Sequence, residues 1–137
     1  MNLKNLLFEI LANKTYRNVT HGTSKENALK IQKNGFKLPI RKALFFDSKG
    51  LSGKLHQVYG SDALIIVDLF PKKSIDMKLV RSKIFQEMKS SGIKINEVSV
   101  HQYLNKNGYD LIDNENELIV LDPNIIKIKD LKFKKEV

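Results

Sequence analysis

The chain contains no cysteine. Disulfides, thiolate metal sites and a cysteine nucleophile are therefore all excluded, whatever compartment the protein occupies. Its three histidines, at 21, 56 and 101, are too scattered to suggest a zinc site. Long apolar runs are missing too. None approaches the roughly 20 residues that span a bilayer, and the apolar stretch from Leu6 to Leu11 is broken by Glu9 and followed by no small-residue cleavage site. The expectation is a cytoplasmic protein without a signal peptide or a membrane span. Acidic residues are in short supply, 15 against 24 Lys and Arg, for a formal charge of +9. A surplus of that size attracts anionic ligands, whether the phosphates of a dinucleotide or a nucleic-acid backbone, over about a Debye length. It does not choose between them, and an ordinary solvated surface accounts for it equally well.

What is present reads as one globular domain over residues 1–137. Hydrophobic residues make up 42% of the chain and charged ones 28%, a balance too apolar for disorder. Leu3, Leu6, Leu7, Ile10 and Leu11 predict an amphipathic helix over 2–13. A strand over 16–20 then delivers His21-Gly22-Thr23 at its end. Ser24 can cap a helix carrying Ala28, Leu29 and Ile31, and Asn34-Gly35 stops it; Asn27 stands where a full capping box needs Glu or Gln.

Further strands are predicted at 43–46 and 63–69, with a short helix over 51–59 between them and Pro71 ending the second. Leu79, Val80, Ile84, Phe85 and Met88 predict a helix over 77–90, and Asn96 caps another that Gly108 stops. Tyr109 to Ile112 and Leu118 to Leu121 form a hairpin about the turn Asp113-Asn114-Glu115-Asn116, and a last strand covers 125–128. Without a regular βαβ rhythm, the pattern is α+β with a mixed sheet.

Three short motifs carry chemistry. They are His21-Gly22-Thr23 at a strand end, Leu44-Phe45-Phe46 followed by Tyr59-Gly60, and Glu117 opening the run Glu-Leu-Ile-Val-Leu-Asp-Pro. Taken singly, each has an ordinary explanation in a polar turn, core packing or surface charge. Their order is more informative. Together, over residues 16–128, they resemble the ADP-ribosyltransferase superfamily, in its branch with a His, an aromatic and a Glu on three strands, which includes small phage and bacterial relatives.

The resemblance implies an ADP-ribosyltransferase-like fold, a mixed and largely antiparallel split β-sheet flanked by helices. It implies NAD as co-substrate, with His21 on a ribose hydroxyl, the Gly22 backbone on the nicotinamide carboxamide, Thr23 beside them, and Phe45 and Tyr59 sandwiching the nicotinamide. Glu117 would be the catalytic carboxylate, stabilising the oxocarbenium-like charge that develops as the nicotinamide bond breaks. Two departures stand out: Phe45 occupies a slot where tyrosine is usual, and His56 one where serine is common. Glu115, two residues before Glu117, gives a Glu-x-Glu spacing similar to that of arginine-directed relatives, where the earlier carboxylate positions the acceptor; an extended segment would project both from one side.

The expected activity is mono-ADP-ribosylation of a macromolecule, most simply a protein, by a phage- or toxin-like effector acting in a host cytoplasm. Two alternatives are ADP-ribosylation of nucleic acid and a non-catalytic nucleic-acid-binding module on the same fold. The second would grip phosphates through Lys127, Lys129, Lys132, Lys134 and Lys135. Oligomeric state is open.

Overall fold

The computed structural model describes residues 14–39, 43–49 and 62–133. The helices predicted over 2–13 and 51–59 lie outside the described residues, and so do His56 and Tyr59. In chain order the elements are β1 (Tyr16–Thr23), α1 (Lys25–Asn34), β2 (Leu44–Asp47), β3 (Ala63–Leu69), β4 (Ser74–Asp76), α2 (Met77–Ser90), α3 (Glu97–Lys106), β5 (Leu111–Asn114), β6 (Glu117–Val120), a 3-10 turn (Pro123–Ile125) and β7 (Ile126–Phe133). The class is α+β, as the sequence indicates.

All seven strands form one sheet in the order β4-β5-β6-β2-β1-β3-β7. Its β4–β5 pair is parallel and the remaining pairs are antiparallel. The sheet is continuous, and β1 and β2 share within it a single registered pair, Thr20 with Asp47.

Strand alternation divides the apolar side chains into two cores. Leu44 and Phe46 of β2 join Val19, Ile65, Val67, Leu118 and Val120 on the face covered by Ala28 of α1. Phe45 points the other way, toward Ile112, Ile119 and the side of α2 and α3 that carries Ile84, Met88 and Leu104. Coverage on both faces explains why β3 reads as a nearly unbroken apolar run. Its one acid, Asp68, is buried. The carboxylate accepts from the Asn18 amide at 3.0 Å and lies 3.0 Å from Arg17 and 3.7 Å from Lys129. The Asn18 amide, ahead of the two cations, holds this carboxyl below the usual range.

The caps follow the sequence. Ser24 Oγ accepts from the Asn27 amide at 3.1 Å, while the Asn27 side chain, which cannot complete a box, donates to Thr23 Oγ1 at 2.8 Å. On α3, Asn96 and Ser99 form a reciprocal box with both bonds at 2.9 Å. Gly35, with φ of 79°, ends α1 in a conformation that favours glycine.

Three elements differ from expectation. Strand β1 runs on through His21, Gly22 and Thr23, because β3 pairs with each of them. Strand β7 extends to Phe133 for the same reason. Strand β4 was not legible: three residues are too short to show a period, and their position is fixed from afar. Asp110 accepts from the amides of Lys72 at 2.7 Å and Lys73 at 3.2 Å, and its own amide donates to the Lys73 carbonyl at 2.9 Å. This clamp sets β4 beside β5. Replacing Asp110 with Ala leaves two amides without their acceptor, and the expected cost is about 1–3 kcal/mol in urea unfolding; an unchanged midpoint would show that the clamp does not stabilise β4.

Candidate functional site

The site grows from the joint between β1 and β2. Beyond Thr20 and Asp47 the two strands pair no further. In place of the missing ladder, His21 Nδ1 donates to the Phe45 carbonyl at 2.7 Å. A carbonyl only accepts, so this bond puts the proton of a neutral ring on Nδ1 and leaves Nε2 as the acceptor nitrogen. The rings of Phe36 and Phe46 pack on the imidazole, with centroids 5.5 and 5.3 Å away. Desolvation there lowers the His21 pKa, opposed by the bond to Phe45. His21 is consequently neutral at neutral pH, with an acceptor suited to a hydroxyl.

His21 lines a cleft of about 620 Å³ bounded by α1 and by residues of 35–39 and 43–45, with Asn27, Lys30, Lys37, Ala43 and Phe45 among its walls. Its two lysines give it a cationic rim. Thr23 stands at the head of α1, its hydroxyl taken by Asn27. Gly22 lies in regular strand pairing opposite Leu64, without a special backbone angle.

Glu117 lies elsewhere. It opens β6 opposite Asp47, and in an antiparallel pair partners share a face. The side chains of Thr20, Asp47, Glu117 and Phe45 therefore face α2 and α3, while His21, one residue after Thr20, faces α1. Glu117 lines a second cleft, of about 490 Å³, with Arg81, Phe85, Glu97, His101 and Asn114. Among the described residues, Phe45 is the one that lines both clefts, its ring on the side of His101 and its carbonyl bonded to His21. The structure thus brings His21, Phe45 and Glu117 onto three neighbouring strands, with His21 on the opposite face of the sheet from Phe45 and Glu117.

Burial raises the Glu117 pKa, and the like charge of Glu97 raises it further. Among the described residues no cation sits within ion-pair distance of Glu117. The Asp-Pro that follows β6 is a structural stop: Asp122 accepts from the Asn124 amide at 3.0 Å and caps the 3-10 turn.

Glu115 departs from the extended geometry assumed for the Glu-x-Glu spacing. The hairpin turn is tight, with Asn114 paired to Glu117, and Glu115 takes φ of 63° at its tip. Its exposed carboxylate lies 3.8 Å from Lys78. Of the C-terminal lysines, Lys127 and Lys132 are exposed on β7, whereas Lys129 donates to Asn18 at 2.7 Å and neighbours Asp68. Lys134 and Lys135 lie outside the described residues.

Sequence reasoning passed over Glu97 and His101. Their spacing of four on a helix with a recognisable cap places both on one face, which was the available signal. No helix among the described residues is long and apolar enough to cross a membrane. In comparison with known proteins, no family model matches the chain, and no curated protein matches it.

A carboxyl whose pKa is higher folded than unfolded contributes stability below the unfolded value and loses it as pH rises through the folded one. At neutral pH the Glu117 charge is therefore held at a cost. Glu117→Gln is expected to melt no lower than the native chain at neutral pH and to lose any advantage on acidification. A clearly lower melting temperature at neutral pH would contradict the assignment of a half-buried, unpaired carboxylate.

Proposed function

We propose that the protein is an NAD-dependent mono-ADP-ribosyltransferase on a fold of that type, cleaving the bond between nicotinamide and ribose and passing ADP-ribose to a macromolecular acceptor, in the first instance a protein. The observation that carries this reading is the adjacency of β1, β2 and β6, which puts His21, Phe45 and Glu117 on neighbouring strands around a joint tied by the His21–Phe45 bond. These are the residues on which the resemblance rests, and nothing in the local sequence requires the three segments to meet.

The residues suit the chemistry. Neutral His21 can accept a hydrogen bond from a ribose hydroxyl while Phe36 and Phe46 fix its ring. Lys30 and Lys37 line the same cleft and complement a diphosphate. The exposed backbone at Gly22 suits a carboxamide. Phe45 offers a flat apolar face for the nicotinamide at the boundary between the clefts, without a hydroxyl to hydrogen-bond it.

Glu117, half-buried and without an ion-pair partner among the described residues, would stabilise positive charge on the ribose as neutral nicotinamide departs. Poor solvation strengthens that interaction, because the carboxylate has few competing partners. The raised pKa sets a condition: the carboxylate must be ionised to act, so activity should fall on acidification at a pH above that of an ordinary glutamate.

The test is nicotinamide release from NAD by the purified protein, with transfer of labelled ADP-ribose followed in a lysate. Glu117→Gln should lower turnover about 100-fold or more, with NAD binding retained. His21→Ala should act chiefly by weakening NAD binding. Label on protein supports the reading as stated, and label on nucleic acid reassigns the acceptor. Absence of both release and NAD binding in the native chain would overturn it.

A further inference from the structure

Strand β3 is apolar except for Asp68, and the chemistry proposed above makes no use of that buried carboxylate. Both neighbouring strands are irregular beside it. On β1, Arg17 and Asn18 lie between the pairs Tyr16–Leu69 and Val19–Val67, two residues opposite the single Asp68, and Asn18 takes φ of 55°. On β7, Lys129 is an extra residue between Ile128, which pairs with Val67, and Asp130, which pairs with Ile66. Bulges of this kind re-aim side chains. Here each presents a cation to the same carboxylate: Arg17 Nη1 donates to Asp68 at 3.0 Å, and Lys129 Nζ lies 3.7 Å from it and donates to Asn18 Oδ1 at 2.7 Å.

The outcome is an ordered set of positive groups on an open surface. The Arg17 and Lys129 side chains remain 62% and 41% exposed, although their shared partner is 4% exposed. Holding two long side chains in one geometry costs conformational entropy, and ion pairs open to water return little stability. What the arrangement does secure is position. The Arg17 guanidinium also lies over the ring of Phe70, 5.2 Å from its centroid, and Phe70 is itself exposed. Lys127 pairs with Asp68 and Lys132 with Leu64, so both project from the Asp68 face of the sheet, and both are exposed. Asp130 shares that face as the one acid of β7, and its carboxylate accepts from the Leu131 amide at 2.9 Å. From Lys127 to Lys132 the strip runs about 17 Å, at ~3.3 Å per residue.

A row of cations fits a polyanion, and an exposed ring carrying a flat guanidinium fits the face of a base. A duplex keeps its bases stacked inside and offers such a ring only sugar and phosphate. We propose that this strip docks a single-stranded nucleic acid, with a base stacked on the Arg17–Phe70 pair and phosphates on Lys127, Lys129 and Lys132. Asp68 is a positioning residue that holds Arg17 and Lys129 in place. The strip is separate from the two clefts: β7 lies four strands from β6 in the sheet order, roughly 19 Å at ~4.8 Å per strand. The docked strand is therefore a tether for the protein and not the group that receives ADP-ribose, and the inference does not depend on the transferase reading.

The test is fluorescence anisotropy of the native chain with labelled oligo(dT) and oligo(U) of about 12 nucleotides, repeated over a series of salt concentrations. At least one of them should bind more tightly than a duplex of the same length and than a polyglutamate of the same charge, and the tighter of the two identifies DNA or RNA as the source. Lys127→Ser and Lys132→Ser should each lower the salt slope by about 1. Phe70→Leu, which keeps an apolar side chain, should weaken binding about tenfold with the slope retained. Arg17→Lys, which keeps the charge and loses the flat guanidinium, should do the same. Lys89→Ser, on α2, should bind as the native chain does. Absence of binding at low salt, equal binding of the duplex or the polyglutamate, or an equal loss in Lys89→Ser would overturn the proposal. None of these measurements uses NAD, so the strip and the transferase stand or fall separately.

Discussion

Strand β2 is four residues long, yet both cores and both clefts depend on where it lies. Leu44 and Phe46 anchor one apolar layer and Phe45 the other, so neither face can shift without disturbing the opposite one. Toward β6 the strand is fully paired. Toward β1 it is joined through Thr20 and Asp47 and then released, and the His21 imidazole takes over from the backbone ladder. The release makes room for a cleft, and the imidazole bond keeps the opened edge in register. One hydrogen bond thus serves packing and chemistry together, because it also fixes which ring nitrogen is free to accept.

The same constraint accounts for what was legible in the sequence. The period of the helices, their caps and the apolar strands are local signals, and α1, α2, α3, β2, β3 and the β5–β6 hairpin follow from them. Strand β4 and the later parts of β1 and β7 owe their existence to partners far along the chain: Asp110 for the first, β3 for the other two. No window of neighbouring residues contains that information. The site divides in the same manner. His21, Phe45 and Glu117 could be singled out by residue type and order, but the side each faces depends on register. Register set His21 and Glu117 on opposite faces, whereas the turn that holds Glu115 was legible from the composition of Asp113 to Asn116.

Glu97 and His101 were passed over for a different reason. A glutamate in the first turn of a helix is ordinarily a dipole partner, and a histidine four residues later is ordinarily core. Their meaning comes from what lies opposite them, a carboxylate from β6 and a ring from β2.

The distribution of charge binds these points together. The chain carries 24 basic residues and only 15 acidic ones, yet among the described acids the ion pairs reach only Asp68, Glu26 and Glu115. Glu117 and Glu97 line one cleft, where the like charge of Glu97 adds to the cost of the Glu117 charge, while the Arg81 guanidinium donates to Asn114. A cation placed there would relieve the repulsion and improve stability, and it would also neutralise the carboxylate that the proposed chemistry needs. Sites that trade stability for an exposed reactive group have this form. On the proposed reading, the cleft at Phe45 is where this fold makes that trade.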